Sequence, residues 1–392
     1  MAVIAGVVKE MAPGERRVAL VPGALSVLNK TGAQVLMESG AGEASGFLDA
    51  EYAEKGVKLV KSRGDVFAQA DVILQVRSLG ANPETGASDL SLMRRGQTVI
   101  GFGEPLTAGE AAKSLAERGA TFLSMELMPR ITRAQSMDAL SSMATIAGYK
   151  AVLIAADSLP RMFPMLMTAA GTVAPARVLV IGAGVAGLQA IATARRLGSV
   201  VSGYDIRAAV KEQIESLGAR FVVLDIEAGG AEDKGGYAKA MGEDFYRKQQ
   251  EALGKVLADQ QVLITTAAVP GRKAPILITA AMARRMAPGS VIVDIAAERG
   301  GNCELTRAGE VVEENGVRIY GPVNLASSIP YHASQMYAKN ILTFLKYLIN
   351  KEGNLTLNRE DEIVKETMVT HGGDVVHPRV RELLGLPELQ AV

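Results

Sequence analysis

The stretch RVLVIGAGVAGLQAIATARRLG, residues 177–198, constrains the fold of this chain more than any other. A β-branched run is followed by Gly182, Gly184 and Gly187 in the order G-x-G-x-x-G, and then by a helical pattern. The first glycine permits a tight turn, the second lets the backbone approach a pyrophosphate, and the third lets the helix pack closely on the strand. The pattern predicts a dinucleotide-binding βαβ unit, and a glycine-rich turn that arose by chance is the alternative.

An acidic residue follows this motif at the end of the next predicted strand. Asp205 lies eighteen residues after Gly187. A carboxylate at this place accepts hydrogen bonds from the adenosine ribose hydroxyls and repels a 2′-phosphate. We therefore predict NAD(H) rather than NADP(H) as the cofactor. Arg207 weakens this prediction only slightly, because Asp205 lies between it and the strand.

Short β-branched runs alternate with helical patterns along most of the chain, which is typical of parallel sheets covered by helices. Strands are predicted at 3–8, 34–38, 71–76, 98–102 and 120–124. A second series begins in the stretch 177–187 and continues at 200–205, 219–225, 261–266, 290–295 and 317–320. Residues 334–349 have apolar side chains at three-to-four spacing and predict a helix that returns the chain to its first domain. We expect an α/β fold with two Rossmann-like, doubly wound parallel-sheet domains. The NAD-binding domain, 142–327, would be inserted into the other, 1–141 plus 328–384, with the binding site in the cleft between them.

Composition excludes several function classes. Lys plus Arg and Asp plus Glu are both 42, so no net positive field attracts nucleic acid or anionic lipid. The single cysteine, Cys303, excludes an internal disulfide and a CxxC metal site, and it favours an intracellular setting. The longest uncharged stretches, 162–176 and 178–194, contain prolines or glycines and are shorter than the roughly 20 apolar residues that span a bilayer. We expect a soluble chain without metal, nucleic-acid partner or membrane insertion.

The segment 226–244, IEAGGAEDKGGYAKAMGED, is too long for an ordinary strand-to-helix connection. Tyr237 is its only aromatic residue and follows Gly235 and Gly236. The segment is either a disordered surface insertion or a mobile lid that folds Tyr237 over a bound nucleotide.

The stretch PRITRAQSMD, residues 129–138, is polar and has little apolar periodicity. It contains two arginines, a glutamine, a serine and an aspartate. By itself it fits a surface loop satisfied by its own hydrogen bonds as well as it fits a binding loop.

Taken together, these motifs resemble the NAD(H)-binding component, domain I, of proton-translocating nicotinamide nucleotide transhydrogenase, which is related to alanine dehydrogenase. The resemblance covers nearly the whole chain and rests on the motifs GERRVALVP, RITRAQSMD, GVAGLQAIATARRLG, GGYAKAMGEDF, ITTAAVPGRKAPILIT, GGNC and EIVKETMVTHGG. RITRAQSMD is the most discriminating of them.

The resemblance implies a nicotinamide-binding and catalytic role for the polar loop. Arg130 and Asp138 would hold the carboxamide, Ser141 would lie close by, and Gln135 would reach a second nucleotide. It also implies a dinucleotide site that comprises the residues Gly182, Gly184, Val185, Gly187, Asp205, Ile206, Arg207, Gly236, Tyr237, Thr266 and Ala267.

The resemblance further implies a reaction that needs no acid or base. Hydride transfer between two nicotinamides requires no protonation of a heteroatom, whereas an amino-acid dehydrogenase must also move protons. Residues 75–79 of this chain replace the segment that carries a lysine in alanine dehydrogenase, and the region that matches the dehydrogenase's histidine contains no histidine here. Glu298 aligns with a catalytic aspartate that comes late in the dehydrogenase sequence. Arg17 still matches a substrate-binding arginine of the dehydrogenase.

We therefore expect direct hydride transfer between NAD(H) on this chain and NADP(H) on a partner component, coupled to proton translocation by a membrane-spanning subunit. The chain would be a homodimer at the cytoplasmic face of the inner membrane, attached through those partners. An alanine dehydrogenase-like enzyme that uses Arg77 and Glu298 and a non-catalytic NAD-binding regulatory subunit are the alternatives.

Overall fold

The structure is a computed structural model and describes residues 2–28, 31–224, 242–269 and 271–389. The chain divides into two units, which are treated one by one. Unit 1 consists of Met1–Met143 and Ser327–Val392, and unit 2 consists of Ala144–Ala326. Unit 2 is thus one continuous stretch that interrupts unit 1.

The N-terminal portion of unit 1 alternates strands with short helices. Its strands are β1 (Ile4–Val7), β2 (Gln34–Glu38), β3 (Lys58–Val60), β4 (Val72–Arg77), β5 (Thr98–Phe102) and β6 (Thr121–Ser124). Its helices are α1 (Asp49–Glu54), α2 (Arg63–Gln69), α3 (Ala87–Leu92) and α4 (Gly109–Glu117), and α5 (Ala139–Ser158) leads into unit 2.

Unit 2 begins within α5 and continues with a hairpin and a second alternating series. Its strands are β7 (Leu166–Thr168), β8 (Gly171–Val173), β9 (Arg177–Ile181), β10 (Val200–Tyr204), β11 (Arg220–Phe221), β12 (Val262–Thr265), β13 (Val291–Asp294), β14 (Val311–Glu314) and β15 (Val317–Tyr320). Its helices are α6 (Val185–Arg196), α7 (Lys211–Ser216), α8 (Glu243–Leu257) and α9 (Ala280–Arg284).

The chain then returns to unit 1. The returning elements are α10 (Pro330–Leu348), α11 (Glu362–Thr367), β16 (Met368–His371), β17 (Asp374–Val375) and α12 (Pro378–Leu383). Helix α10 confirms the helix predicted at 334–349, and its buried residues include Tyr337, Ile341 and Leu345.

The main sheets of both units share one strand order. The sheet of unit 1 reads β17-β16-β6-β5-β4-β1-β2-β3, and the sheet of unit 2 reads β11-β10-β9-β12-β13-β15-β14. Numbered within each unit, the six parallel strands lie in the order 3-2-1-4-5-6 of a doubly wound nucleotide fold. This confirms the predicted α/β fold class. Each sheet also has antiparallel pairing at one edge, at β16 and β17 in unit 1 and at β14 in unit 2.

The sheet of unit 2 is buried on both faces. Along β9, Val178 and Val180 pack into one apolar cluster, while Leu179 and Ile181 pack into another. Successive side chains of a strand point to opposite faces, so a continuous apolar run is what a sheet covered by helices on both sides requires.

Helix α5 is rich in apolar residues. Among the described residues it is the one helix that is long and apolar enough, by length and composition only, to cross a membrane. In its most apolar stretch of 18 residues, 39% is buried. Ala151, Val152 and Ala155 lie in the core of unit 2, so a portion of this apolar surface is accounted for by packing in the fold.

The carboxyl edge of the unit 1 sheet carries ionisable side chains that contact the chain itself. Glu10, which follows β1, accepts hydrogen bonds from the backbone N–H groups of Val76 (2.6 Å) and Arg77 (3.1 Å) at the end of β4. Burial, and next the nearby Glu15 carboxylate, raise the pKa of Glu10 to about 8. The order of the strands reverses between β1 and β4, so these side chains occupy the place where an open sheet of this class binds its ligand.

A second buried carboxyl group lies after β6. Glu126 Oε1 accepts from the backbone N–H groups of Gly103 and Glu104, both at 2.7 Å, and Oε2 accepts from the Ser124 hydroxyl at 2.6 Å. Burial, and next the Glu104 carboxylate, raise the pKa of Glu126 to about 7. Folding therefore favours the protonated form of Glu126.

Glu126→Gln is expected to flatten the dependence of stability on pH. Because the pKa of Glu126 is raised from 4.5 to about 7 on folding, its contribution is complete below about pH 4.5 and is lost as the pH rises through 7. In the wild type the free energy of unfolding in urea should fall by ~3 kcal/mol between pH 5 and pH 8 from this group. The glutamine imitates the protonated acid and should remove that fall, whereas Glu117→Gln, on the exposed face of α4, should leave it intact.

Candidate functional site

The glycine-rich turn of unit 2 lies between β9 and α6, at the point where the strand order reverses. Gly182 has φ +94°, and a Cβ there would lie 2.5 Å from Thr266 Oγ1. A Cβ on Gly187 would lie 1.7 Å from the carbonyl oxygen of Gly182, whereas a Cβ on Gly184 would meet none of the described residues within 4 Å. Gly182 and Gly187 are therefore required by packing, and Gly184 leaves open space in front of the turn.

No side chain of the described residues caps the first turn of helix α6. Gly184 is its N-cap residue and provides no capping side chain, and Val185 at the first helical position is 37% exposed. The first N–H groups of a helix have no partner within the helix and carry a partial positive charge. Such an end is suited to an anionic group of a ligand.

Asp205 lies directly after β10 and is 8% exposed. Its Oδ2 accepts from the Ala183 N–H (2.7 Å) and from Arg207 Nη2 (2.8 Å), and its Oδ1 accepts from Arg207 N and Nε, both at 2.9 Å. Ile206 between them packs against the apolar core of unit 2. A carboxylate offers about four lone-pair positions, and Arg207 fills three of them here. Sequence reasoning missed this close pairing.

Thr266 and Ala267 follow β12, the strand beside β9. Thr266 Oγ1 donates to the Gly182 carbonyl at 3.0 Å and so fixes the turn from the neighbouring strand. Ala267 is held through Asn302, whose Oδ1 accepts from the Ala267 N–H (3.0 Å) and whose Nδ2 donates to the carbonyls of Ala267 (2.8 Å) and Pro275 (2.9 Å).

Asn302 is held in turn by the carboxylate that ends β13. Asp294 Oδ2 accepts from the N–H groups of Asn302 (2.7 Å) and Cys303 (3.0 Å) and from Thr306 Oγ1 (2.7 Å). Asp294 and Asn302 are both 0% exposed. Neither was among the predicted site residues, although a carboxylate at the end of a buried strand and the GGNC motif were signals that could have revealed them.

The polar loop belongs to unit 1 and forms a 3-10 turn at Thr132–Met137 before α5 begins. Asp138 Oδ1 accepts from the Ser141 N–H (2.9 Å) and its Oδ2 from the Ser141 hydroxyl (2.6 Å). The structure thus brings Asp138 and Ser141 together at the start of a long helix, as a capping pair. Arg130 and Gln135 are exposed. Gly236 and Tyr237 lie outside the described residues.

The three histidines and the single cysteine, all within the described residues, have different surroundings. His371 contacts Thr121 Oγ1 at 3.0 Å, and burial lowers its pKa. Burial also lowers the pKa of His377 to about 4, so this ring is neutral at pH 7. Burial raises the pKa of the Cys303 thiol to about 11. His332 is exposed at the start of α10, where its ring lies edge-on to Tyr331.

The arginines suited to hold a substrate carboxylate are paired with a carboxylate of the chain itself. Arg17 Nε and Nη2 donate to Glu15 at 2.7 and 2.6 Å, and Arg77 Nε lies 3.2 Å from Glu15 Oε2. The Glu15 side chain is fully buried. Among the described residues no group of three or more His, Cys, Asp or Glu side chains could hold a metal ion.

Two family models together match most of the chain. The model described as alanine dehydrogenase/PNT, N-terminal domain, matches residues 6–147, and the model described as alanine dehydrogenase/PNT, C-terminal domain, matches residues 151–378.

Relatives and solved structures agree with these matches. A protein of Rhodospirillum rubrum, named as the first of the parts of NAD(P) transhydrogenase subunit alpha, is 47% identical over 94% of this chain and 97% of that protein. The crystal structure of transhydrogenase from Sinorhizobium meliloti has a TM-score of 0.85 at 46% identity, covering 95% of this chain and 100% of that chain. An L-alanine dehydrogenase structure has a TM-score of 0.81 at 25% identity, covering 98% and 99%.

Asn302→Ala is expected to destabilise unit 2. The change leaves the two carbonyls and the N–H group that Asn302 now satisfies without a partner, and each such loss costs about 1–3 kcal/mol. The free energy of unfolding should fall by about 3 kcal/mol in a urea titration. Gln213→Ala, an exposed residue of α7, is the control and should change it by less than about 0.5 kcal/mol. Equal stability of the two variants would contradict the positioning role of Asn302.

Proposed function

Because the chain belongs to the alanine dehydrogenase/PNT family, we propose that it is the NAD(H)-binding subunit of a proton-translocating NAD(P) transhydrogenase. In this proposal a hydride passes directly between NAD(H) on this chain and NADP(H) on a partner component. The observation that carries it is the 47% identity, over 94% of the chain, to the transhydrogenase alpha-subunit protein of Rhodospirillum rubrum.

The turn of unit 2 supports binding of a dinucleotide. The open space at Gly184 and the uncapped start of α6 suit a pyrophosphate, and Asp205 at the end of the neighbouring strand suits the adenosine ribose. Ribose hydroxyls need acceptor positions on Asp205 that Arg207 now fills. Binding therefore requires the Arg207 guanidinium to give up some of its contact with Asp205.

The polar loop of unit 1 supports an orienting role toward the nicotinamide. Asp138 uses two of its about four acceptor positions on Ser141, so the others can accept from a carboxamide NH₂ group. Arg130 would donate to the carboxamide oxygen, and exposed Gln135 would reach the second nucleotide. Hydride transfer between nicotinamides depends on alignment and on exclusion of water, and a loop that orients the ring provides this without an acid or a base.

We further propose an assembly with a NADP(H)-binding component and a membrane-spanning subunit that translocates protons, at the cytoplasmic face of the inner membrane. The name of the Rhodospirillum rubrum relative describes an alpha subunit divided into separate proteins, which supports a divided enzyme.

A homodimer is proposed as well, on the evidence of the β7–β8 hairpin. Apolar side chains of the hairpin are exposed, Leu166 by 37%, Met167 by 76% and Val173 by 42%, and so is the preceding Met165, by 56%. Isolated hairpins are marginal in water, and contiguous exposed apolar residues mark protein interfaces. A second copy of the chain would cover this hairpin.

An alanine dehydrogenase is the second candidate, since an L-alanine dehydrogenase shares the fold over nearly the whole chain. The pairing of Arg17 and Arg77 with Glu15 argues against it, because an oxo or amino acid would have to compete with a buried internal carboxylate. A regulatory subunit that binds NAD(H) without reaction is the third.

NADH is expected to bind at least about tenfold more tightly than NADPH. Asp205 would repel the 2′-phosphate, and Asp205→Asn removes that charge while keeping an acceptor atom. In the variant the ratio of the NADPH dissociation constant to the NADH dissociation constant should be smaller than in wild type. The chain contains no tryptophan, so titration by nucleotide fluorescence measures both affinities directly. Equal wild-type affinities for the two nucleotides would overturn the role of Asp205.

Reconstitution with a NADP(H)-binding transhydrogenase component is expected to give NADH-dependent reduction of an NADP analogue. Gln135→Asn shortens the side chain by one methylene and should slow this transfer about tenfold or more with NADH affinity nearly unchanged. The matched control is Gln213→Asn, on an exposed face of unit 2. Steady NADH oxidation by the chain alone with pyruvate and ammonia would favour the dehydrogenase, and NADH binding without any transfer would favour the regulatory subunit.

A further inference from the structure

We propose that Arg133 is a positioning residue that fixes the polar loop for hydride transfer. The inference rests on the proposed function and adds a residue to it. Arg133, Tyr347 and Asp361 form a group of three side chains, here called the loop clamp, and all three belong to unit 1.

The loop clamp joins three segments of the chain at one point. Arg133 Nη1 donates to Tyr347 Oη (2.8 Å) and to Asp361 Oδ2 (2.7 Å), and Tyr347 Oη donates to the same carboxylate oxygen (2.6 Å). Arg133 is in the 3-10 turn of the loop, Tyr347 is in the last turn of α10, and Asp361 is the N-cap residue of α11. Each side chain contacts the other two, so the loop is tied to both returning elements.

Asp361 is prepared for this role by its surroundings. Burial alone would raise the pKa of Asp361, but hydrogen bonds from Tyr347 and Arg133, and from the N–H groups of Ile363 and Val364, outweigh burial and lower it. The carboxylate is therefore charged at neutral pH. Its Oδ1 caps α11, while its Oδ2 serves the loop clamp.

A second anchor holds the other side of the same turn. Asn340 Nδ2, on α10, donates to the Ser136 carbonyl at 2.9 Å, and Ala134 is fully buried. Gln135 lies between the residue held by the loop clamp and the residue held by Asn340. A 3-10 turn has poor internal hydrogen-bond geometry, so its conformation depends on such external contacts.

The loop clamp acts on position more than on stability. Arg133 is 49% exposed, and exposed ion pairs contribute little to folding. Hydride transfer is far more sensitive, because a displacement of about 1 Å can cost about a hundredfold in rate. Loss of the loop clamp should therefore lower the rate of transfer while leaving unit 1 folded.

The test uses the full chain reconstituted with the NADP(H)-binding component. Arg133→Ala is expected to lower the rate of hydride transfer about tenfold, with the NADH dissociation constant within about twofold of wild type. Arg133→Lys should recover much of the rate, because both contacts are made by one nitrogen that an ammonium group can replace. Arg284→Ala breaks an ion pair of similar exposure in unit 2, with Glu314, and should leave the rate unchanged.

Two further variants separate the loop clamp from the helix cap. Asp361→Asn keeps an oxygen for the N-cap of α11 but removes the charge that Arg133 contacts, and Tyr347→Phe removes one hydroxyl. Each should slow transfer, and neither should slow it further in an Arg133→Ala background, because the three side chains act as one group. Additive losses would overturn the proposal, as would an unchanged rate in Arg133→Ala.

Hydrogen exchange tests the loop clamp without any partner. Amide groups of residues 134–138 should exchange about tenfold faster in Arg133→Ala and Tyr347→Phe than in wild type. Unchanged exchange overturns the loop clamp. Faster exchange in these variants, with a wild type that transfers no hydride, would instead refute the proposed function and leave the clamp in place.

Discussion

The contact between Gly187 and the carbonyl oxygen of Gly182 is the constraint on which the organisation of unit 2 depends. A single added methyl group at Gly187 would lie 1.7 Å from that oxygen, so α6 could not keep its place after β9. Gly148 on α5 meets a similar limit, because its Cβ would lie 2.1 Å from the carbonyl oxygen of Ala186. Backbone packs directly on backbone at both positions.

The two units show two outcomes of one topology. Both sheets have the order 3-2-1-4-5-6, and in both the order reverses beside the first strand. In unit 2 this edge is lined by glycine, and no atom of the described residues would lie within 4 Å of a Cβ on Gly184. In unit 1 Glu10 accepts hydrogen bonds from backbone N–H groups at the end of β4, and Glu15 forms ion pairs with Arg17 and Arg77. The same fold therefore presents a backbone cradle in one unit and a set of ionisable side chains bonded to the chain itself in the other.

Much of the fold could be predicted from the sequence, because strands buried on both faces are continuous apolar runs. The elements that were not predicted are short or depend on distant partners. Strand β3 has three residues, and β16 pairs with β6 from far along the chain. At the site, the glycines follow from local backbone geometry and were predictable. Asn302 and Asp294 act where separate loops meet, which local patterns do not encode. Arg207 is only two residues from Asp205, and its pairing depends on how the two side chains turn toward each other.

The burial of Cys303 has a consequence for the chemistry of the chain. With the pKa of its thiol raised to about 11, almost no thiolate exists at neutral pH, and the thiolate is the form that attacks electrophiles and oxidants. Cys303 should thus be unreactive toward alkylating reagents as long as unit 2 remains folded around it. The single sulfhydryl becomes a built-in chemical reporter, whose labelling records how often that region of the molecule opens.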